Sequence, residues 1–303
     1  MSASEEDIQA SAAVTNLKPK SLLEDTAHHF TARTVLEVKG DLSALNAVAI
    51  GSVPAKGGKP AFLSLLTKDG YLDADLFLVP YAGGTLVDVH GELAEDVAER
   101  LSQLDGVTEV DPTAGERWRI FGELPDQKNV ETQFETIRFA DTRRRELGAR
   151  VLREAAEPEG FDWRHFRKWD GHAMRLGLLP DHRCVIGKQI TPEEAGYHRL
   201  LAKPSQSDGP PPERRILPMR IEPSGNAMPA MTGASIIAGD VSIGTVLEHE
   251  GVCALALVTI APWREALANR AKITCMDEQA LLIWPTWLAT ESQGHFGPAP
   301  HLI

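Results

Sequence analysis

A chain of 303 residues with 43% hydrophobic and 24% charged residues is long enough for two domains and has the composition of an ordinary soluble globular protein. Its formal net charge of −12 excludes a sequence-independent grip on nucleic acid and docking on anionic lipid, because both need clustered Lys and Arg. No apolar run approaches the roughly 18 residues of a membrane-spanning helix, and Cys184, Cys253 and Cys275 stand too far apart for a zinc ribbon or a disulfide framework, which points to a reducing compartment.

The first twenty residues, MSASEEDIQASAAVTNLKPK, read as a polar, poorly ordered arm, acidic where a mitochondrial presequence is Arg-rich. TARTVLEV (Thr31 to Val38) alternates like a strand, and SALNAVAI (Ser43 to Ile50) fits a short helix. SVPAKGGKP is a loop; its AKGGKP lacks the G-x-x-x-x-G-K-[ST] spacing of a phosphate cradle. From Ala61 to Glu92 the pattern is three strands, joined by turns at Lys68-Asp69-Gly70 and Ala82-Gly83-Gly84. Asp73 and Asp75 fall two apart on the second strand and so share a face. They are either a polar strand edge or carboxylates aimed into a ligand cavity.

LAEDVAERLSQL is predicted as an amphipathic helix, with VTEVD and ERWRIFGEL as further strands. TRRRELGARVLREAA (Thr142 to Ala156) is predicted as a helix with Arg143, Arg144 and Arg145 on a solvated face. DWRHFRKWDGHAMRLGL is predicted as another, turning Trp163, Phe166, Trp169 and Met174 to the core. His28, His29 and His172 sit in no metal-ligand spacing, which leaves surface or capping roles. There is no G-x-S-x-G elbow. AKPSQSDGPPPER (Ala202 to Arg214) is a Pro-rich linker. Beyond it RRILPMRI, ASIIAG, VSIGTVLEH, VCALALVTI and ALLIWPTW are short strands with Gly-bearing turns, the pattern of a small β-barrel or sandwich. The predicted division is an arm over 1–20, an α+β domain over 21–201, a linker over 202–213 and a β-barrel domain over 214–303.

The order of these segments resembles the YgfZ/GcvT-like family, which shares the fold of the glycine-cleavage T-protein and includes mitochondrial iron–sulfur cluster assembly factors. RTVLEVKG resembles the family's opening strand. LLTKDGYLDADLFLV is similar to its L-T-P-x-G-x-x-x-x-D segment, which puts the family's acidic residue at Asp75. WRIFGEL and FADTRRRELGARVL resemble a strand and the D-P-R-x-x-x-L-G-x-R stretch. RLGLLP and ITPEEA resemble the G-x-P segment and the P-x-E-A that lands on Pro192, Glu194 and Ala195. The barrel segments from Arg214 to Trp287 follow in the family's order.

The resemblance implies a GcvT-like N-terminal domain around a central channel that cradles tetrahydrofolate in catalytic relatives. Asp75 and Glu194 are then the candidate folate-channel residues, tetrahydrofolate is the candidate cofactor, and no metal is implied. Protein partners would come from the iron–sulfur maturation machinery or a larger complex, with neither nucleic acid nor membrane insertion. The compartment implied is the mitochondrial matrix in a eukaryote and the cytoplasm in a bacterium.

Two departures bear on chemistry. The family's K-G-C-Y-x-G-Q-E signature is missing: Cys184 to Gly187 copies its C-x-x-G spacing but precedes TPEEA, so it is a coincidence, and after Ala195 the chain runs through the linker into the barrel. The family's T-N-D is replaced by IGSV (Ile50 to Val53). With the thiol and the polar pair gone, the expectation is a non-catalytic accessory factor in iron–sulfur assembly with folate binding weakened or lost. A scaffold subunit is the alternative, and a tetrahydrofolate-dependent aminomethyl- or methyltransferase ranks third. Replacing Cys184 by serine should then change stability very little.

Overall fold

Alternating side chains make the first sheet. A computed structural model describes residues 27–30, 32–125, 135–154, 168–201, 212–222 and 231–288. The N-terminal arm, the linker as far as residue 211, and Trp163 and Phe166 lie outside the described residues. After the short β1 (Ala27–His29) come β2 (Arg33–Gly40), β3 (Ala49–Gly51), β4 (Ala61–Leu66), β5 (Leu72–Tyr81), β6 (Gly84–His90) and β7 (Val107–Asp111). The last six form an antiparallel sheet ordered β3-β4-β5-β6-β2-β7. One face sends Leu36, Leu63, Leu76 and Val87 against Val97 and Leu101 of the helix α1 (Ala94–Ser102). That helix carries Glu95 and Asp96 in its first turn and Arg100 in its last, matching its dipole. The other face, with Val35, Phe62, Phe77 and Leu86, packs toward a second sheet.

The second sheet is ordered β1-β8-β10-β9, from β8 (Trp118–Glu123), β9 (Thr136–Ala140) and β10 (Ala149–Glu154), with the four-residue helix α2 (Ala114–Arg117) leading into it. Here the structure corrects the sequence reading. The helix predicted over 142–156 is a single 3-10 turn, Arg145–Leu147, followed by a central strand. Gly148 stops the helix: its φ is +94°, and a Cβ there would lie 2.0 Å from the Glu123 carbonyl oxygen. From Ala149 the chain pairs on both sides, Arg150 with Gly122 and with Phe139. Pairing with two strands outweighs the good helix propensity of Ala, Arg, Leu and Glu. The basic run is accordingly no solvated face, because Arg143 is buried.

The predicted Trp-bearing helix is present as α3 (Lys168–Arg175), with Trp169 and Met174 buried. It leads through the one-turn α4 (Tyr197–Leu200) to a closed six-stranded barrel. Its strands are β11 (Arg214–Glu222), β12 (Ser235–Ala238), β13 (Val241–Glu250), β14 (Cys253–Thr259), β15 (Ile273–Cys275) and β16 (Glu278–Leu282). Five of these were predicted. The three-residue β15, which closes the ring between β12 and β16, and the helix α5 (Ile260–Ala268) were not.

Helix α3 packs on β13 and β14, and the Trp287 indole N–H donates to the Leu176 carbonyl at 2.7 Å, tying the barrel to the sheet pair. No helix among the described residues is long and apolar enough to cross a membrane.

Candidate functional site

Asp75 sits on β5, opposite Ser64 of β4, and its side chain is buried between the two sheets. Asp73, nearer the strand's end, is part-exposed and pairs with Arg100 of α1. Two residues from late in the chain reach Asp75. The Tyr197 hydroxyl donates to Oδ2 at 2.9 Å, and His182 Nδ1 lies 3.4 Å from Oδ1. His182 is fully buried in a 3-10 turn, His182–Cys184, whose start is capped by Asp181. The Arg33 guanidinium donates to the Asp75 main-chain carbonyl at 3.2 Å.

Burial pushes the Asp75 carboxyl up, but the neighbouring His182, Ser64 and Tyr197 outweigh it and hold the group below its ordinary value. Burial works against the His182 cation too, yet the neighbouring Asp75 carboxylate raises it above the ordinary histidine value. Burial and then Asp75 push the Tyr197 phenol up. Tyr197 satisfies Asp75 Oδ2, while Asp75 Oδ1 and both ring nitrogens of His182 are buried without a hydrogen-bond partner among the described residues.

Beside them runs a charge ladder between the sheets. Arg33 pairs with Asp88; Arg150 donates to Asp88 at 2.6 Å and to Asp141 at 3.1 Å; Arg143 donates to Asp141 at 2.9 and 3.0 Å and to the Leu179 carbonyl at 2.7 Å. All five side chains are at most 2% exposed. The Arg150 guanidinium lies 3.6 Å from the Phe77 ring centroid and 4.7 Å from that of Phe30. Arg143 lies 5.4 and 5.3 Å from the Phe62 and Phe77 centroids. Three guanidinium groups thus share the carboxylates of Asp88 and Asp141. Such a set holds only because each charge is paired, since an unpaired buried ion costs several kcal/mol.

Glu194, the other predicted site residue, lies elsewhere. Its Oε2 accepts from the Thr191 N–H at 2.9 Å while its own N–H donates to Thr191 Oγ1 at 3.2 Å, the reciprocal pattern of a capping box. Its Oε1 accepts from Arg214 Nε at 2.6 Å, and its carbonyl from the Ile216 N–H at 2.8 Å, so it anchors the first barrel strand. Asp75 and Glu194 share no hydrogen-bond partner. The link between them is Tyr197, three residues after Glu194.

Cys184 is buried in the apolar core. Burial, then Glu248 and Asp181, push its thiol far above the ordinary value, the reverse of a nucleophile's setting. In a titration of the folded chain with a thiol-reactive dye, the half-buried Cys253 should react first, with Cys184 and Cys275 reacting only on unfolding. Replacement of Cys184 by serine puts a hydroxyl among apolar side chains and should cost about 1–3 kcal/mol, not the near-zero change expected from the sequence. Urea unfolding of the variant measures it. Among the described residues no group of three or more His, Cys, Asp and Glu side chains is placed to hold a metal ion.

The shifted pKa values set a pH test. His182 titrates higher folded than unfolded, so its contribution to stability is complete below the unfolded value of about 6.5 and is lost as pH rises through its folded value. Asp75 titrates lower folded than unfolded, so its contribution is present above about 3.9 and is lost as pH falls through the folded value. The thermal-midpoint gap between the native chain and His182→Asn should therefore narrow as pH rises past about 6.5. A gap that widened with pH would show His182 to be held neutral.

The chain has the fold of the glycine-cleavage aminomethyltransferases. Aminomethyltransferase T of the glycine cleavage system from Bartonella henselae matches with a TM-score of 0.54 at 12% identity, covering 84% of each chain. The barrel can be assigned more narrowly: residues 213–290 match the family model for the C-terminal beta-barrel domain of CAF17. No curated protein matches significantly. The YgfZ/GcvT-like resemblance read from the sequence holds in fold and in barrel.

Proposed function

We propose that this chain is a non-catalytic accessory factor of iron–sulfur cluster assembly in which tetrahydrofolate no longer has a site. The CAF17-type barrel supports the process. The observation that carries the chemical half is the closure of Asp75. One carboxylate oxygen accepts from Tyr197, the other faces His182, and the group is held ionised below its ordinary value. A general base needs a pKa drawn toward neutrality, and Asp75 is held the other way, while its Oδ1, without a hydrogen-bond partner, is shut from solvent by burial. Glu194 is likewise engaged, by Arg214 and Thr191. The compartment that goes with this reading is the mitochondrial matrix in a eukaryote or the cytoplasm in a bacterium.

Depletion of the protein should lower the activity of enzymes that carry iron–sulfur clusters while their polypeptide levels hold. Re-expression of the chain should restore that activity. Unchanged cluster enzymes on depletion would refute the assignment. A scaffold role in a larger assembly is favoured by one specific feature, the six large apolar side chains exposed after residue 213 among the described residues. It would show as co-purifying subunits that disperse on depletion while cluster enzymes keep their activity.

A further inference from the structure

Of the eight large apolar side chains that stand open to solvent among the described residues, six follow residue 213: Met231, Val241, Val252, Leu267, Met276 and Leu281. Two of them rim a cleft of about 570 Å³ on the outer wall of the barrel, lined also by Ile237, Thr274, Gly239 and Asp277. Met231 is 49% exposed and Met276 42%. Ile236 points into the barrel, so its neighbour Ile237 faces out, where a barrel in water ordinarily carries a polar residue.

The loop that places Met276 is a second, independent observation. Cys275 pairs with Glu278, which leaves Met276 and Asp277 as a two-residue hairpin turn with φ values of +52° and +66°. Two positive φ angles suit Asn-Gly or Asp-Gly. Asp277 tolerates this backbone, but methionine is disfavoured in it, so Met276 keeps a strained conformation at an exposed tip. Strain of this kind collects at binding and switching sites, and a flexible thioether side chain adapts to the shape of what it meets.

The rest of the geometry narrows the occupant. The barrel is closed, so it offers a visitor no strand edge to pair with. A partner must therefore dock side chains. Asp277 puts a carboxylate at the rim, and the net charge of −12 repels a second copy of the chain while drawing a basic segment. We propose that this cleft docks a segment of a partner protein that seats an apolar side chain between Met231 and Met276 and a Lys or Arg against Asp277. The surface stands apart from the Asp75 site, so its test does not depend on whether the chain serves iron–sulfur assembly.

The probe is a random-peptide display library selected on the intact chain, with winning peptides synthesised and titrated by fluorescence anisotropy. Winners should join an apolar and a basic residue and bind more weakly as salt rises. Met276→Asn should weaken them by about tenfold or more while raising the thermal midpoint, because asparagine suits the turn. That pairing of opposite signs separates lost docking from lost folding. Met231→Ser should weaken them without touching the turn, Asp277→Asn should flatten the salt dependence, and Val252→Asn, at a different hairpin, should change nothing. Selection that yields no binder, binders without basic residues, or affinity unmoved by both methionine variants overturns the proposal. So does a dimer of the native chain in light scattering that Met276→Asn dissolves, since the surface would then be a contact between copies.

Discussion

Replacing Arg150 by methionine should cost about 3–5 kcal/mol of stability, a large part of what a domain of this kind holds. The guanidinium joins Asp88 on one sheet to Asp141 at the start of the other's β9–β10 connection, and its plane rests on Phe77 and Phe30. Methionine fills much of the volume and keeps the contact with the rings. What it leaves behind are two carboxylates, neither of them exposed to water and each short of one cation. Asp88 is then left with Arg33 alone and Asp141 with Arg143 alone, and the link between the two pairs is gone. Urea unfolding should show a lower midpoint with an unchanged slope. Joint removal of charge with Asp88→Leu should recover part of the loss, because an apolar pair costs less than a broken ionic one. A loss below about 1 kcal/mol for Arg150→Met would mean that the ladder is wet and the sheets are not sealed around it.

Trp169→Ala should be as damaging, at about 3–5 kcal/mol, for a different reason. The indole is wholly buried, meets Phe30 edge-on with centroids 5.5 Å apart, and lies against β8 at Gly122, where a Cβ would come within 2.7 Å of its ring. Removing it opens a cavity under α3, the helix that also packs on β13 and β14 of the barrel. Near-ultraviolet circular dichroism should weaken along with the unfolding midpoint, and Trp169→Phe should recover much of both. A neutral Trp169→Ala would show that α3 is a removable strap and no part of the core.

Five of the six strands of the first sheet and five of the six barrel strands were legible because the pattern is local, as in LDADLFLVPY and VCALALVTI. By contrast, β3 (Ala49–Gly51) fell inside the segment read as a short helix, whose turn ends at Ala47. The 142–156 segment was not. Its residues favour a helix, and what makes it a strand is pairing with β8 and β9, information that lies outside the segment. Asp75 was legible as a candidate from its place in a family-like stretch. Its closure was not, because Tyr197 stands 122 residues away and His182 comes from a turn without regular pattern. The ladder had one overlooked signal: in TLVDVH, Leu86, Asp88 and His90 share the face of β6 that packs inward, so a charged residue stood at a buried phase. A lone Asp there demands a cation from elsewhere, and the basic run at Arg143, read as surface, was part of the answer.

The central claim is that Asp75 has become a structural carboxylate and that the fold no longer takes a folate. Titration calorimetry of the reduced chain with tetrahydrofolate, backed by thermal shift, tests it most directly. The account predicts no heat of binding and no change in the thermal midpoint. Micromolar binding that Asp75→Asn weakens by more than about tenfold, some 1.4 kcal/mol, would contradict it and make Asp75 a ligand residue again.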